Sequence, residues 1–170
     1  MYSSPQVALP QEFKNWPAWR ASVFWHQLGC FLTSKALSVA SQGLAAVVMR
    51  APFVDVLSAM SNSSLPMTLL EHEEWGDPKS AEGLAGLAKM CPYHNMQPST
   101  FPPLLVSGAT NDVRVSIAGV AKWVARMRAK QQGPAPVLLN AQSSGGHFGD
   151  EAAELNLAAT ELAFMLEAVG

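Results

Sequence analysis

The sequence is short of charge, of cysteine and of apolar runs long enough to cross a bilayer, and each shortage closes off a class of protein. Only 14% of the 170 residues are charged while 49% are hydrophobic, which excludes a disordered or solvating chain. A formal net charge of -2 gives no basis for binding nucleic acid or an anionic membrane surface. Its cations are scattered. Only Arg126, Arg128 and Lys130 stand close together, at alternate positions that read as the solvated end of a helix. The two cysteines, Cys30 and Cys91, supply no disulfide framework and point to a reducing compartment, so a cytoplasmic location is expected. The acid-poor, Ser-containing N-terminus resembles an organelle transit segment, which keeps that address open. The stretch ASVFWHQLGCFL is too short to span a bilayer and contains His26 and Gln27. No small-residue cleavage site follows it, so neither a membrane span nor a signal peptide is expected. Cys91 and His94 have a metal-like spacing, but Pro92 lies between them and no second pair exists, whereas a closed structural site needs four ligands. No metal and no organic cofactor is expected.

What is present is enough for one domain with a real core. Residues 1–42 give little: Pro5, Pro10 and Pro17 break the start, and Trp16, Trp19, Phe24 and Trp25 follow no clear period. From Gly43 the pattern sharpens. The run LAAVVMRAPF, closed by Pro52, reads as a strand buried on both faces. A long excursion over 56–100 carries helices at MTLLEHEEW and SAEGLAGLAKM, punctuated by turn signals at Gly76-Asp77-Pro78 and Cys91-Pro92. PPLLVSGAT is a second buried strand. SIAGVAKWVARMRAK then repeats apolar residues at helical spacing: Ile117, Val120, Ala121, Val124 and Met127. Gln132-Gly133-Pro134 ends that helix, APVLLNAQ is a third strand, and DEAAELNLAATELAFMLEAV closes the chain as a helix with acids in its first turn. Strands alternating with helices predict an α/β fold with about three parallel strands and covering helices.

In such a sheet function gathers at the carboxyl ends of the strands. TND places Asp112 just past the second strand, and SSGGH places His147 just past the third. An Asp followed tens of residues later by a His is the late part of the Ser…Asp…His order of α/β-hydrolases. The histidine would shuttle the proton, and the aspartate would fix its tautomer and stabilise the imidazolium. On spacing alone, a turn-forming Asp and a loop His explain the pair equally well.

Longer blocks add to the spacing. RAPFVDVLSAM, LPMTLLEHEEWGDP, CPYHNMQPSTFPPLLVSGATNDVRV, AKWVARMRA and GGH together resemble the C-terminal part of prolyl oligopeptidase-family serine peptidases, and most closely the oligopeptidase B branch. The resemblance implies the C-terminal part of an α/β-hydrolase domain over residues 43–170. It assigns Asp112 and His147 as triad members and Arg114 as a hydrogen-bond donor to a substrate carbonyl, though the oligopeptidase B branch usually lacks that arginine. It also assigns Glu71 and Glu73 as acids that select Arg or Lys before the scissile bond. A desolvated guanidinium needs such carboxylates; without the resemblance, the two glutamates read as solvated helix charges. Trp75 and Gly76 read as packing and turn residues.

One departure stands out. The resemblance requires a nucleophile on a G-x-S-x-G elbow shortly before AAVVMRAPF, and the sequence contains no such motif. Ser34, Ser38 and Ser41 stand near that place, but TSKALSVASQG lacks the glycines that permit the strained turn. The family's propeller and early hydrolase strands have no counterpart in these residues. Residues 1–42 are therefore expected to replace family sequence and to offer no strand. That would leave AAVVMRAPF with an open apolar edge prone to self-association. The function implied is a serine-type peptidase that hydrolyses oligopeptides after basic residues through acyl transfer to serine. The rival is a non-catalytic fragment or pseudoenzyme acting as a binding module. An ordinary esterase is disfavoured by the blocks around Glu71 and Asp112.

Overall fold

The structure is a computed structural model and describes residues 22–26, 30–31, 33–34, 37, 44–66, 68–143 and 151–169. Its centre is a parallel sheet in the order β1-β2-β3-β4, formed by Ser22–His26, Ala46–Arg50, Leu104–Ala109 and Val137–Gln142. β2 and β3 are consecutive runs of buried residues, as expected of parallel strands covered on both faces. The helices are α1 (Val56–Met60), α2 (Thr68–Trp75), α3 (Ala81–Met90), α4 (Ile117–Lys130) and α5 (Glu151–Val169). Among the described residues no helix is long and apolar enough to cross a membrane.

One correction concerns the N-terminal region. Ser22–His26 pairs in parallel with Ala46–Arg50, so the edge of β2 expected to be open is filled. The strand escapes a periodicity reading because Val23, Phe24 and Trp25 are consecutive strand formers, with no polar residue to mark alternation. Cys30, Phe31, Thr33, Ser34 and Leu37 beyond it are helical. The α/β-hydrolase arrangement therefore contains one strand more than the three expected.

The core lies between one sheet face and α4. Val47 and Met49 of β2, Leu104 and Val106 of β3 and Val137 of β4 meet Val120, Trp123, Val124 and Met127 of α4. Cys30 and Leu37 close the same layer. Burial pushes the Cys30 thiol up to about 12, so it stays protonated, and its Sγ donates to the Arg50 carbonyl at 3.6 Å. At the helix end predicted to be solvated Arg128 is exposed, but two of the cations also have partners. Arg126 lies 4.9 Å from the Tyr93 ring centroid, and Arg128 Nε donates to the Val137 carbonyl at 2.8 Å.

On the opposite face α5 packs against β2 through an ion network. Arg50 Nη1 meets Glu154 Oε2 at 2.7 Å, and Arg50 Nε donates to Glu161 Oε1 at 3.2 Å, with a second bond from Nη2 to Glu161 Oε2. The Glu161 hydrogen bonds hold the guanidinium above its ordinary range, against the opposing effect of burial.

α1, α2 and α3 build a smaller layer in the β2–β3 connection, around Val56, Met60, Leu87 and Cys91. Trp75 packs edge-on to Phe31 and Phe53, with centroids 5.4 and 5.5 Å away. Gly76 has φ +105°, which side chains rarely adopt. A Cβ at Gly83 would stand 2.1 Å from the Asp77 carbonyl oxygen. These two glycines let α3 turn tightly against the end of α2, and that turn fixes the direction in which the acidic face of α2 points.

Candidate functional site

β3 ends at Ala109, and Asp112 follows in the turn beyond its carboxyl end. The side chain is buried, and Oδ1 accepts from the backbone N–H groups of Arg114 and Val115 at 2.8 and 2.9 Å. Two charge-assisted bonds fix the carboxylate plane. Thr110 N–H donates to the Gln142 carbonyl at 2.9 Å and its hydroxyl to the Ser143 carbonyl at 3.4 Å. These bonds tie the β3 turn to the segment that leaves β4 towards SSGGH. His147 itself lies outside the described residues.

The residues that follow Asp112 line a cavity of about 210 Å³. Val113, Arg114 and Val115 face α2 across it, and α2 contributes Glu71, Glu74 and Trp75. Glu71 and Arg114 are thus brought to one site. Glu73 is exposed and is not among the lining residues. The geometry of the helix gives the reason, since neighbours three apart share a face and neighbours two apart do not. Glu74 was legible by that rule in LLEHEEW, where Glu71 and Glu74 stand at i and i+3. Arg114 is exposed at the rim, so two carboxylates and one guanidinium give the cavity lining a formal surplus of negative charge.

Of the three serines near the expected elbow, only Ser34 is among the described residues, and it is not arranged as a nucleophile. Ser34 is helical and 5% exposed, and its hydroxyl donates to the Phe31 carbonyl at 2.7 Å. Ser38 and Ser41 lie outside the described residues. A nucleophile elbow stands between a strand and a helix. Between His26, the last residue of β1, and the helical Cys30 the sequence reads Gln27-Leu28-Gly29, outside the described residues and with no serine, threonine or cysteine.

The sequence pattern of the prolyl oligopeptidase family matches residues 26–170. "Protease 2" of Moraxella lacunata is 33% identical over 144 residues, covering 84% of this chain and 21% of the relative. "Prolyl endopeptidase-like" of Gallus gallus is 36% identical over 133 residues, covering 71% of this chain and 18% of the relative. The chain therefore spans about a fifth of the length of these curated relatives. Among solved structures, oligopeptidase B from Trypanosoma brucei with covalently bound antipain superposes with a TM-score of 0.84 at 28% identity, over 90% of this chain and 22% of that one. A match over nearly the whole chain, on the parallel sheet and helices of an α/β-hydrolase domain, shows that this chain belongs to the prolyl oligopeptidase family.

Proposed function

We propose that this chain is the C-terminal part of a serine-type oligopeptidase catalytic domain, supplying the acid, the base and the side-chain pocket for a basic residue. Asp112 would orient His147 and stabilise its imidazolium, and His147 would move the proton between nucleophile and leaving amine. Glu71 and Glu74 would receive an arginine or lysine side chain of the peptide, with Arg114 at the rim towards the peptide backbone. One observation carries this reading: the turn that holds Asp112 continues directly into the wall of the cavity lined by both glutamates. The basic side chain and the bond to be cleaved would then sit on neighbouring parts of one surface.

The sequence at the end of β1 favours a second reading for the chain acting alone. With Gln27-Leu28-Gly29 between His26 and Cys30 in the sequence, the base would have no nucleophile to activate, and the chain would bind peptide without cleaving it. Both readings share the pocket. It is tested by calorimetric titration with a short oligopeptide containing one arginine, against the same peptide with its neutral isostere citrulline. The arginine peptide is expected to bind at least about 10-fold more tightly, since one charge-assisted hydrogen bond is worth about 1.5–3 kcal/mol. Equal affinities would overturn the assignment of the pocket.

A further inference from the structure

We propose that Asp55, Cys91 and His94 form a binding site for a divalent ion of the zinc class, separate from the peptide pocket. Sequence spacing offers only Cys91 and His94; the fold brings in Asp55 from the β2–α1 connection. One ligand atom from each of the three residues lies within 4.8 Å of the others, and His94 Nδ1 is 3.2 Å from Cys91 Sγ. Zinc bonds of about 2.0–2.3 Å imply tetrahedral ligand separations of about 3.3–3.7 Å. The sulfur–nitrogen pair is already near that spacing, and the carboxylate needs to close by about 1 Å.

Asp55 supplies the independent observation. Its side chain is buried, and Oδ1 has no hydrogen-bond partner among the described residues. It occupies the N-cap of α1, yet makes no side-chain capping bond, the ordinary task of an Asp at that position. A buried carboxylate oxygen left without a donor is costly, and a cation would satisfy it. The backbone holds the site together, because Tyr93 N–H donates to the Val54 carbonyl at 3.0 Å, fixing the Cys91–His94 turn against the segment that carries Asp55.

Thiolate, imidazole and carboxylate form a borderline donor set suited to zinc or cobalt rather than magnesium or calcium. Binding forms the metal–sulfur bond and releases the Cys91 thiol proton to solvent. His94 is exposed, so the ion has a route in and water can fill a fourth position. Lys122 is the competitor: its Nζ lies 2.5 Å from Asp55 Oδ2, but its side chain is 49% exposed and free to withdraw into water. Once bound, the ion would clamp the start of α1 to the turn after α3.

Titration of the whole chain with Co²⁺ tests this through thiolate-to-cobalt charge-transfer absorption, with far-UV circular dichroism monitoring the fold. The wild type is expected to develop the band at one ion per chain and to melt at a higher temperature with Zn²⁺. Substitution of the exposed ligand, His94→Ala, should keep the fold and lose both responses. Lys122→Met should bind Co²⁺ more tightly than the wild type, because it removes the cation that competes for Asp55. Absence of the band in a folded wild type, or an unchanged band in His94→Ala, would overturn the site. Weaker binding by Lys122→Met would also count against it.

Discussion

The Glu161→Ala variant is expected to lose about 3–5 kcal/mol of stability, the usual cost of leaving a buried charge without its partner. Glu161 is 1% exposed in α5 and accepts two bonds from Arg50 of β2. Removing it takes two hydrogen bonds from a guanidinium whose side chain is only 18% exposed, and the Glu154 side chain beside it is 43% exposed and well solvated. Against the roughly 5–15 kcal/mol that holds a domain together, that loss is severe. Glu154→Ala should cost no more than about 1 kcal/mol, as an exposed pair does. Replacing Arg50 and Glu161 together by methionine should recover most of the loss, because apolar residues of similar volume incur no desolvation cost. Urea denaturation midpoints of the four proteins decide this. A Glu161→Ala variant within about 1 kcal/mol of wild type would show that α5 is not held to the sheet by this network.

The second large effect is on peptide selectivity. In Glu71→Gln/Glu74→Gln, affinity for the arginine peptide should fall about 10²-fold or more, while affinity for the citrulline peptide changes little. Each carboxylate lost removes a charge-assisted bond of about 1.5–3 kcal/mol. Glu73→Gln should behave as wild type on both peptides, since Glu73 is not among the residues that line the cavity. Calorimetry on the same peptide pair reads all three proteins. Equal losses on both peptides would make the glutamates structural. A Glu73→Gln variant that alone lost selectivity would move the pocket to the other face of α2.

Three strands and four long helices were legible because their signals are local. β2 opens with Ala46-Val47-Val48-Met49 and β3 with Leu104-Leu105-Val106, each run close to Pro or Gly on both sides, and α4 repeats Val120, Val124 and Met127 at helical spacing. β1 was not legible, since Val23-Phe24-Trp25 has neither alternation nor an adjoining Pro or Gly, and only its pairing with Ala46–Arg50 identifies it as a strand. Asp112 was legible from its place after a strand, whereas its fixed orientation depends on the backbone N–H groups of Arg114 and Val115. Glu73 is the acid the family resemblance implies, whereas Glu74, three residues after Glu71, is the one that lines the cavity with it. The approach of Asp55 to Cys91 and His94 has no sequence signal, because 36 residues separate Asp55 from Cys91 and only the packing of α1 against α3 closes the gap.

The central claim is that the chain carries the acid–base and pocket side of a peptidase site without its nucleophile. Reaction with a fluorophosphonate probe, read by intact mass alongside turnover of arginyl- and lysyl-coumarin substrates, tests it most directly. Loss of the serine from a complete triad costs about 10⁶-fold in kcat, so neither labelling nor turnover above background is predicted. Stoichiometric labelling, abolished by Ser34→Ala, Ser38→Ala or Ser41→Ala, would contradict the claim and identify a nucleophile outside the strand-to-helix turn.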